Sequence, residues 1–300
     1  MRSIISRTVL TLCVMNPVEY TLSANRVFIS IRSCRCRRCL RAGSSCDSSQ
    51  RFCSNTQRVM CDTFHFKQFS IRHDRCAMKV GTDGILLGAW CRECGGETGS
   101  GRILDIGTGT GLVALMLAQR NPHATVDAIE IDEAASEQAA ENFRGSAWSE
   151  RLHAIHGCVK DYRAETRYAL IASNPPWFRD SLKSASASRN VARHDEELNR
   201  IDLLAAVHRL MAPDGRFCTI LPTAAGQEFI QLARDSALSC RRSCEVRPTP
   251  DKAPSRLLLE FGRTEPGSTP EPESLTVETA IRHDYTEDFR KLTHEFYLRF

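Results

Sequence analysis

The sequence predicts an α/β protein built on a mostly parallel sheet of seven strands, with an antiparallel hairpin at one edge. Three observations predict it. From Phe64 onward, short apolar runs alternate with segments of helical spacing, the pattern of parallel strands joined by crossover helices. The first of these runs leads straight into a glycine-rich turn that opens a helical segment. Near the C-terminus, two further apolar runs are separated only by a Pro/Glu/Gly-rich stretch, residues 264–274, a connection that suits antiparallel neighbours.

Each element has its own justification. Residues 102–106 are a short apolar strand, and 112–119 follow with helical spacing. A second strand is expected over 124–131 and a second helix over 133–143. Residues 152–156 and 168–173 supply strands three and four. The helix expected over 201–211 is stopped by Pro213-Asp214-Gly215, before a strand at 216–221. Residues 256–261 and 275–281 complete the set as the edge hairpin. No internal repeat is visible.

Three hundred residues, 42% of them hydrophobic, are ample for a core. No window approaches a membrane-spanning length. The apolar run at 9–15 is short, is preceded by Arg7, and ends at Asn16-Pro17 without a cleavage site, so a cytoplasmic protein is expected rather than a secreted one. The net charge of +4 hides an asymmetry. Residues 1–61 hold ten arginines, no lysine and two acids, for a local charge of +8, which leaves −4 on residues 62–300. The larger part is therefore not a uniformly basic nucleic-acid binder, and any RNA contact must come from a local patch. Seven of the 14 cysteines also lie in the first 61 residues. Cys36-x-x-Cys39 and Cys91-x-x-Cys94 lack the flanking pattern of a zinc ribbon, so they are read as free thiols and no metal is expected. The chain is thus divided into an Arg/Ser/Cys-rich segment, 1–61, and a folded domain, 62–300. Two readings of the first segment stay open, a basic RNA-binding arm or sequence upstream of a start at Met60. The abrupt change in composition favours the second.

The chemistry lies at the strand ends. Gly107, Gly109 and Gly111 let the backbone turn tightly beneath a ligand at a helix start, with the spacing GxGxG rather than the dinucleotide fingerprint GxGxxG. Asp105 precedes them, where a carboxylate could meet an ammonium group. Glu130 ends the second strand, placed to accept hydrogen bonds from ribose hydroxyls. At the end of the fourth strand stands Asn174-Pro175-Pro176-Trp177. The two prolines fix the Asn174 carboxamide, the Pro175 carbonyl and the Trp177 ring in one stiff unit. Taken alone, either turn could be structural punctuation; together they point to a site. The serine- and alanine-rich stretch after Trp177 carries Arg179, Lys183, Arg189, Arg193 and His194, candidate phosphate contacts or an ordinary solvated loop.

These residues resemble the motifs of class I S-adenosylmethionine-dependent methyltransferases, whose Rossmann-like sheet would be the fold expected here. The resemblance implies S-adenosylmethionine as cofactor, with Asp105 on its methionine end and Glu130 on its ribose. It also matches Asn174–Trp177 to an Asn/Asp-Pro-Pro-aromatic motif found where the acceptor is a planar amine, with Trp177 standing where Tyr or Phe is usual. Residues 66–90, "FKQFSIRHDRCAMKVGTDGILLGAW", and the C-terminal "YTEDFRKLTHEFYL" are similar to the bacterial tRNA(Val) adenosine-37 N6-methyltransferases. That similarity covers about residues 63–300 and implies a tRNA anticodon loop as partner. By analogy Thr82 lies near the cofactor, and Cys158 stands where such enzymes often carry an acid for the adenine amino group. Two other readings are kept, a protein-glutamine N5-methyltransferase acting on release factors and a non-catalytic RNA-binding module. The first usually carries an N-terminal helical domain, and residues 1–60 show no helical periodicity.

Overall fold

The computed structural model describes residues 63–76, 79–94, 101–176, 200–263 and 271–300. The arginine-rich N-terminal segment, Trp177 and the basic stretch that follows it lie outside the described residues. Residues Val59–Phe300 form one compact unit.

A small antiparallel pair, β1 (Thr63–His65) and β2 (Ser70–Arg72), precedes helix α1 (Thr82–Trp90). Then come β3 (Arg102–Ile106), α2 (Leu112–Arg120), β4 (Thr125–Glu130), α3 (Glu133–Arg144), β5 (Leu152–His156) and β6 (Tyr168–Ser173). The chain continues through α4 (Arg200–Leu210), β7 (Met211–Pro222), α5 (Thr223–Asp235), β8 (Leu238–Arg247), β9 (Arg256–Arg263), β10 (Glu273–Thr276) and α6 (Glu287–Thr293). The main sheet has eight strands in the order β10-β8-β9-β7-β6-β3-β4-β5. Only β9 runs against its neighbours; every other pairing is parallel.

The strand residues alternate between two apolar layers, as a period of two requires. Ile103, Val126 and Leu170 face a core completed by α1, α2 and α6. Leu104, Ile129 and Ile171 face one completed by α4 and α5. Helix α1 can lie close on α2 because Gly88 has no side chain: a Cβ there would come within 2.7 Å of Met116 Sδ. That contact sets α1 and α2 side by side, with Gly84 over Leu112 and Gly88 over Met116, so both N-termini open at the same end.

Two expectations need correction. The sheet has eight strands, not seven. The antiparallel hairpin is β8–β9, whereas the last predicted strand, observed as β10, pairs with β8 in parallel. The strand missed was β8, "LSCRRSCEVR", whose arginines, serines and cysteines hide the alternation of a strand near a sheet edge. The Pro213-Asp214-Gly215 break is also contained within β7. Met211 already pairs with Tyr168 before the chain bulges and re-enters the ladder at Arg216 opposite Leu170.

Candidate active site

The strand order reverses beside β3: the chain moves outward through β4 and β5, then returns to the other flank of β3 as β6. Ligands in open α/β sheets bind at this switch point, beyond the C-terminal strand ends. Here Ile106 pairs with Ser173, and the Ser173 hydroxyl donates to the Ile106 carbonyl at 2.9 Å. Gly107 and Asn174 are the next residues of the two strands. The glycine turn and the Asn-Pro-Pro turn therefore start side by side.

The glycine turn is held at every residue. Gly107 N–H donates to the Ile129 carbonyl at 2.9 Å, and Gly111 N–H to the Thr108 carbonyl at 2.9 Å. All three glycines have positive φ, 69°, 55° and 83°. They differ in what surrounds them. A Cβ on Gly107 or Gly109 would meet nothing within 4 Å, whereas one on Gly111 would lie 2.5 Å from Phe143 Cε1. Gly107 and Gly109 thus leave an open cradle, and Gly111 serves close packing between the turn and α3.

Glu130 borders the cradle. Its Oε2 accepts from Gly109 N–H at 2.9 Å, and its Oε1 from the amides of Ile131 and Asp132 at 2.9 and 3.1 Å. A carboxylate has about four acceptor directions, so about one remains for a hydroxyl of a ligand. Asp105 is placed differently. It is 1% exposed, and its Oδ2 accepts from the Thr108 hydroxyl at 2.6 Å and from Ala114 N–H at 3.2 Å. It ties the turn to the first turn of α2 from beneath.

Burial pushes the Asp105 carboxyl up to about 7, with the nearby charge of Glu130 adding to the effect against the two hydrogen bonds. The folded protein therefore keeps a proton that the unfolded chain releases near the ordinary 3.8, so this group's contribution to stability falls as pH rises from 3.8 to about 7 and is flat above. Asp105→Asn removes that dependence. Urea melts at pH 5 and pH 8 are expected to show wild type losing stability relative to the variant on going to pH 8. Equal slopes for the two proteins would rule the assignment out.

Cys158 follows β5 and Gly157 at the same end of the sheet, and its carbonyl accepts from the amides of Asp161 and Tyr162, both at 3.1 Å. The thiol is free and half-buried. Thr82 is exposed in the first turn of α1, whose start opens beside that of α2. Asn174 is half-buried and Pro175 buried, while Pro176 is exposed. The Asn174 carboxamide has no partner among the described residues. Sequence reasoning missed Asn142 and Gln138, buried amides on α3 that reach the segment before α1. Their only signal was two amides four residues apart.

Among the described residues no group of three or more His, Cys, Asp or Glu could hold a metal ion, and no helix is long and apolar enough to cross a membrane. A cavity of about 170 Å³ lined by Arg163, Arg167 and Arg209, among others, sits near the start of β6, at the other end of the strands from the glycine turn.

An open glycine cradle after the first sheet strand, an acid ending the second, and a rigid Asn-Pro turn beside them define a class I methyltransferase. Residues 93–208 match the family described as the methyltransferase small domain. Among solved structures, a predicted O-methyltransferase from Agrobacterium tumefaciens aligns with a TM-score of 0.52 at 17% identity, over 71% of this chain and 96% of that chain, a likeness of fold alone. The tRNA1(Val) (adenine(37)-N6)-methyltransferase of Parabacteroides distasonis is 45% identical over 240 residues, 79% of this chain and 98% of that protein. Proteins of the same name from Pectobacterium carotovorum subsp. carotovorum and Trichodesmium erythraeum are each 43% identical, over 94% and 98% of their lengths. The chain belongs to the tRNA1(Val) (adenine(37)-N6)-methyltransferase family.

Proposed function

We infer that the protein transfers the methyl group of S-adenosylmethionine to N6 of adenosine 37 in the anticodon loop of tRNA1(Val), in the cytoplasm, through its 62–300 domain. The observation that carries this reading is the adjacency of Asn174 to the open Gly107–Gly109 cradle, fixed by the Ile106–Ser173 pairing. When bound, S-adenosylmethionine supplies an electrophilic methyl group on sulfur. The cradle and Glu130 would hold it, with Asp105 and Thr82 close by and Cys158 beside its adenine.

An adenine amino nitrogen is a weak nucleophile because its lone pair is delocalised into the ring. The Asn174 carboxamide oxygen and the Pro175 carbonyl accept its two N–H groups, favour a pyramidal nitrogen and aim the lone pair. This is preorganised polar stabilisation of the kind that dominates many active sites. Pro176 stiffens the carbonyl's position, and Trp177 provides the stacking face. No strong base is needed, because the proton becomes acidic only as the methyl group arrives.

Radiolabelled cofactor offered with total tRNA or with a release factor tests the assignment. Label is expected in tRNA and not in the release factor; the reverse would make the protein a glutamine methyltransferase, and no label in either a binding module. Cys158→Asp supplies an adenine-binding acid and is expected to tighten S-adenosylhomocysteine binding by about 1 kcal/mol, the net worth of one hydrogen bond. An aspartate suits the first position of the turn that Cys158 already opens. Calorimetry with an unchanged dissociation constant would show that the adenine is held by other groups.

A further inference from the structure

Residues 72–76, from the end of β2 onward, run along α3 toward its N-terminus. Arg72 lies opposite Asn142: its N–H donates to Asn142 Oδ1, and its carbonyl accepts from Asn142 Nδ2, both at 2.9 Å. One helical turn earlier, Gln138 Oε1 accepts from Arg75 N–H at 2.9 Å. The Arg75 guanidinium pairs with Glu137 and Glu141 on the same helix. Cys76 comes next, close to Glu130 and Asp132. Burial and those two charges push its thiol up to about 11. The run thus leads toward the start of α3, which begins three residues after Glu130, the acid that borders the cradle.

Asn142 has a second attachment. The same Nδ2 donates to the Thr110 carbonyl at 2.8 Å, between the glycines of the turn. Asn142 is 4% exposed and Gln138 fully buried. A buried amide costs stability unless its polar atoms are paired, and Asn142 places every bond on backbone of two segments that do not otherwise adjoin in sequence. The other ties on the turn come from beneath, through Asp105, or from the neighbouring strand end, through Ile129 and Glu130. Asn142 joins the turn to the 72–76 run.

We propose that Asn142 and Gln138 are positioning residues for cofactor binding: they key the run 72–76 to the glycine turn, so that the run forms a preorganised wall of the cradle beside Glu130. This rests on the cofactor reading given above. Neither residue touches the acceptor turn at Asn174, so the methyl-transfer step should not depend on them. Loosening the run lets Thr110 and Gly109 move, and the cofactor must then order them on binding.

Three variants separate this from a purely structural role. Asn142→Asp keeps the acceptor for Arg72 N–H but removes both donors. Gln138→Leu removes only the bond to Arg75, and Gln138→Glu restores it. Calorimetry with S-adenosylhomocysteine is expected to show about tenfold weaker binding for Asn142→Asp and Gln138→Leu, the size of one or two lost hydrogen bonds, and near-normal binding for Gln138→Glu. The KM for S-adenosylmethionine should rise in parallel, while kcat and the KM for tRNA stay within about twofold of wild type. Amide exchange at Arg72 and Arg75 should slow on adding S-adenosylhomocysteine to wild type and less so in the variants.

Folded variants with unchanged affinity, or a loss confined to melting temperature or to kcat, would overturn the proposal. Should Asn142→Asp fail to fold, Gln138→Leu decides the question alone. Wild-type protein that does not bind S-adenosylhomocysteine would instead sink the cofactor reading itself.

Discussion

Asn174→Ala is expected to methylate tRNA about a hundredfold more slowly in a single turnover, a loss of roughly 3 kcal/mol, which is typical of removing one preorganised polar contact from a transition state. Cofactor affinity should hardly change. The reason is positional. Asn174 follows Ser173, whose pairing with Ile106 holds the strand end in place without help from the carboxamide. Its side chain spends no hydrogen bond on the fold among the described residues, so truncation should leave the protein intact. Circular dichroism and calorimetry with S-adenosylhomocysteine serve as controls for folding and binding. A folded Asn174→Ala protein that turns over at a normal rate would reduce Asn174-Pro175-Pro176 to a strand stop.

The second large effect separates glycines that look alike in sequence. Gly111→Ala is expected to destabilise the fold by roughly 2–5 kcal/mol, combining left-handed backbone strain with an overpacked contact. Its Cβ would lie 2.5 Å from the buried Phe143 ring, against α3. Gly109→Ala suffers the strain alone, about 1–2 kcal/mol, because nothing lies within 4 Å of its Cβ. That methyl group would instead occupy the cradle, so the variant should fold and lose most of its affinity for S-adenosylhomocysteine. Urea melts and calorimetry on the pair check both halves. Equal destabilisation of the two variants would contradict this division of roles.

Much of the parallel half of the sheet was readable from the chain. β3, β5 and β6 fall on the expected residues, and β4 and α3 lie within a residue of their predicted ends. Their strands are buried on both faces or bounded by glycine and proline, and such signals are local. Helix α1 was not assigned, because "GILLGAW" is buried all round and carries no polar face to set a period. The edge was misread for the opposite reason. β8 carries few apolar residues, and its partners are chosen by β9 and β10, far along the chain.

The sequence by itself determined the chemistry-bearing residue types and their order: glycines after one strand, an acid after the next, Asn-Pro-Pro after the fourth. Those are constraints on single backbone turns, and turn chemistry is written in adjacent residues. Only the tertiary structure decided which glycines face open space and which one packs on Phe143, since a Cβ's neighbours come from another helix. It alone placed Asp105 beneath the turn rather than on its surface, with both contacts of its Oδ2 inside the fold. It alone brought Asn142 to Thr110 and Arg72, positions 32 and 70 residues away. No local pattern encodes such a contact, because its partners are set by how α3 lies against the strand ends.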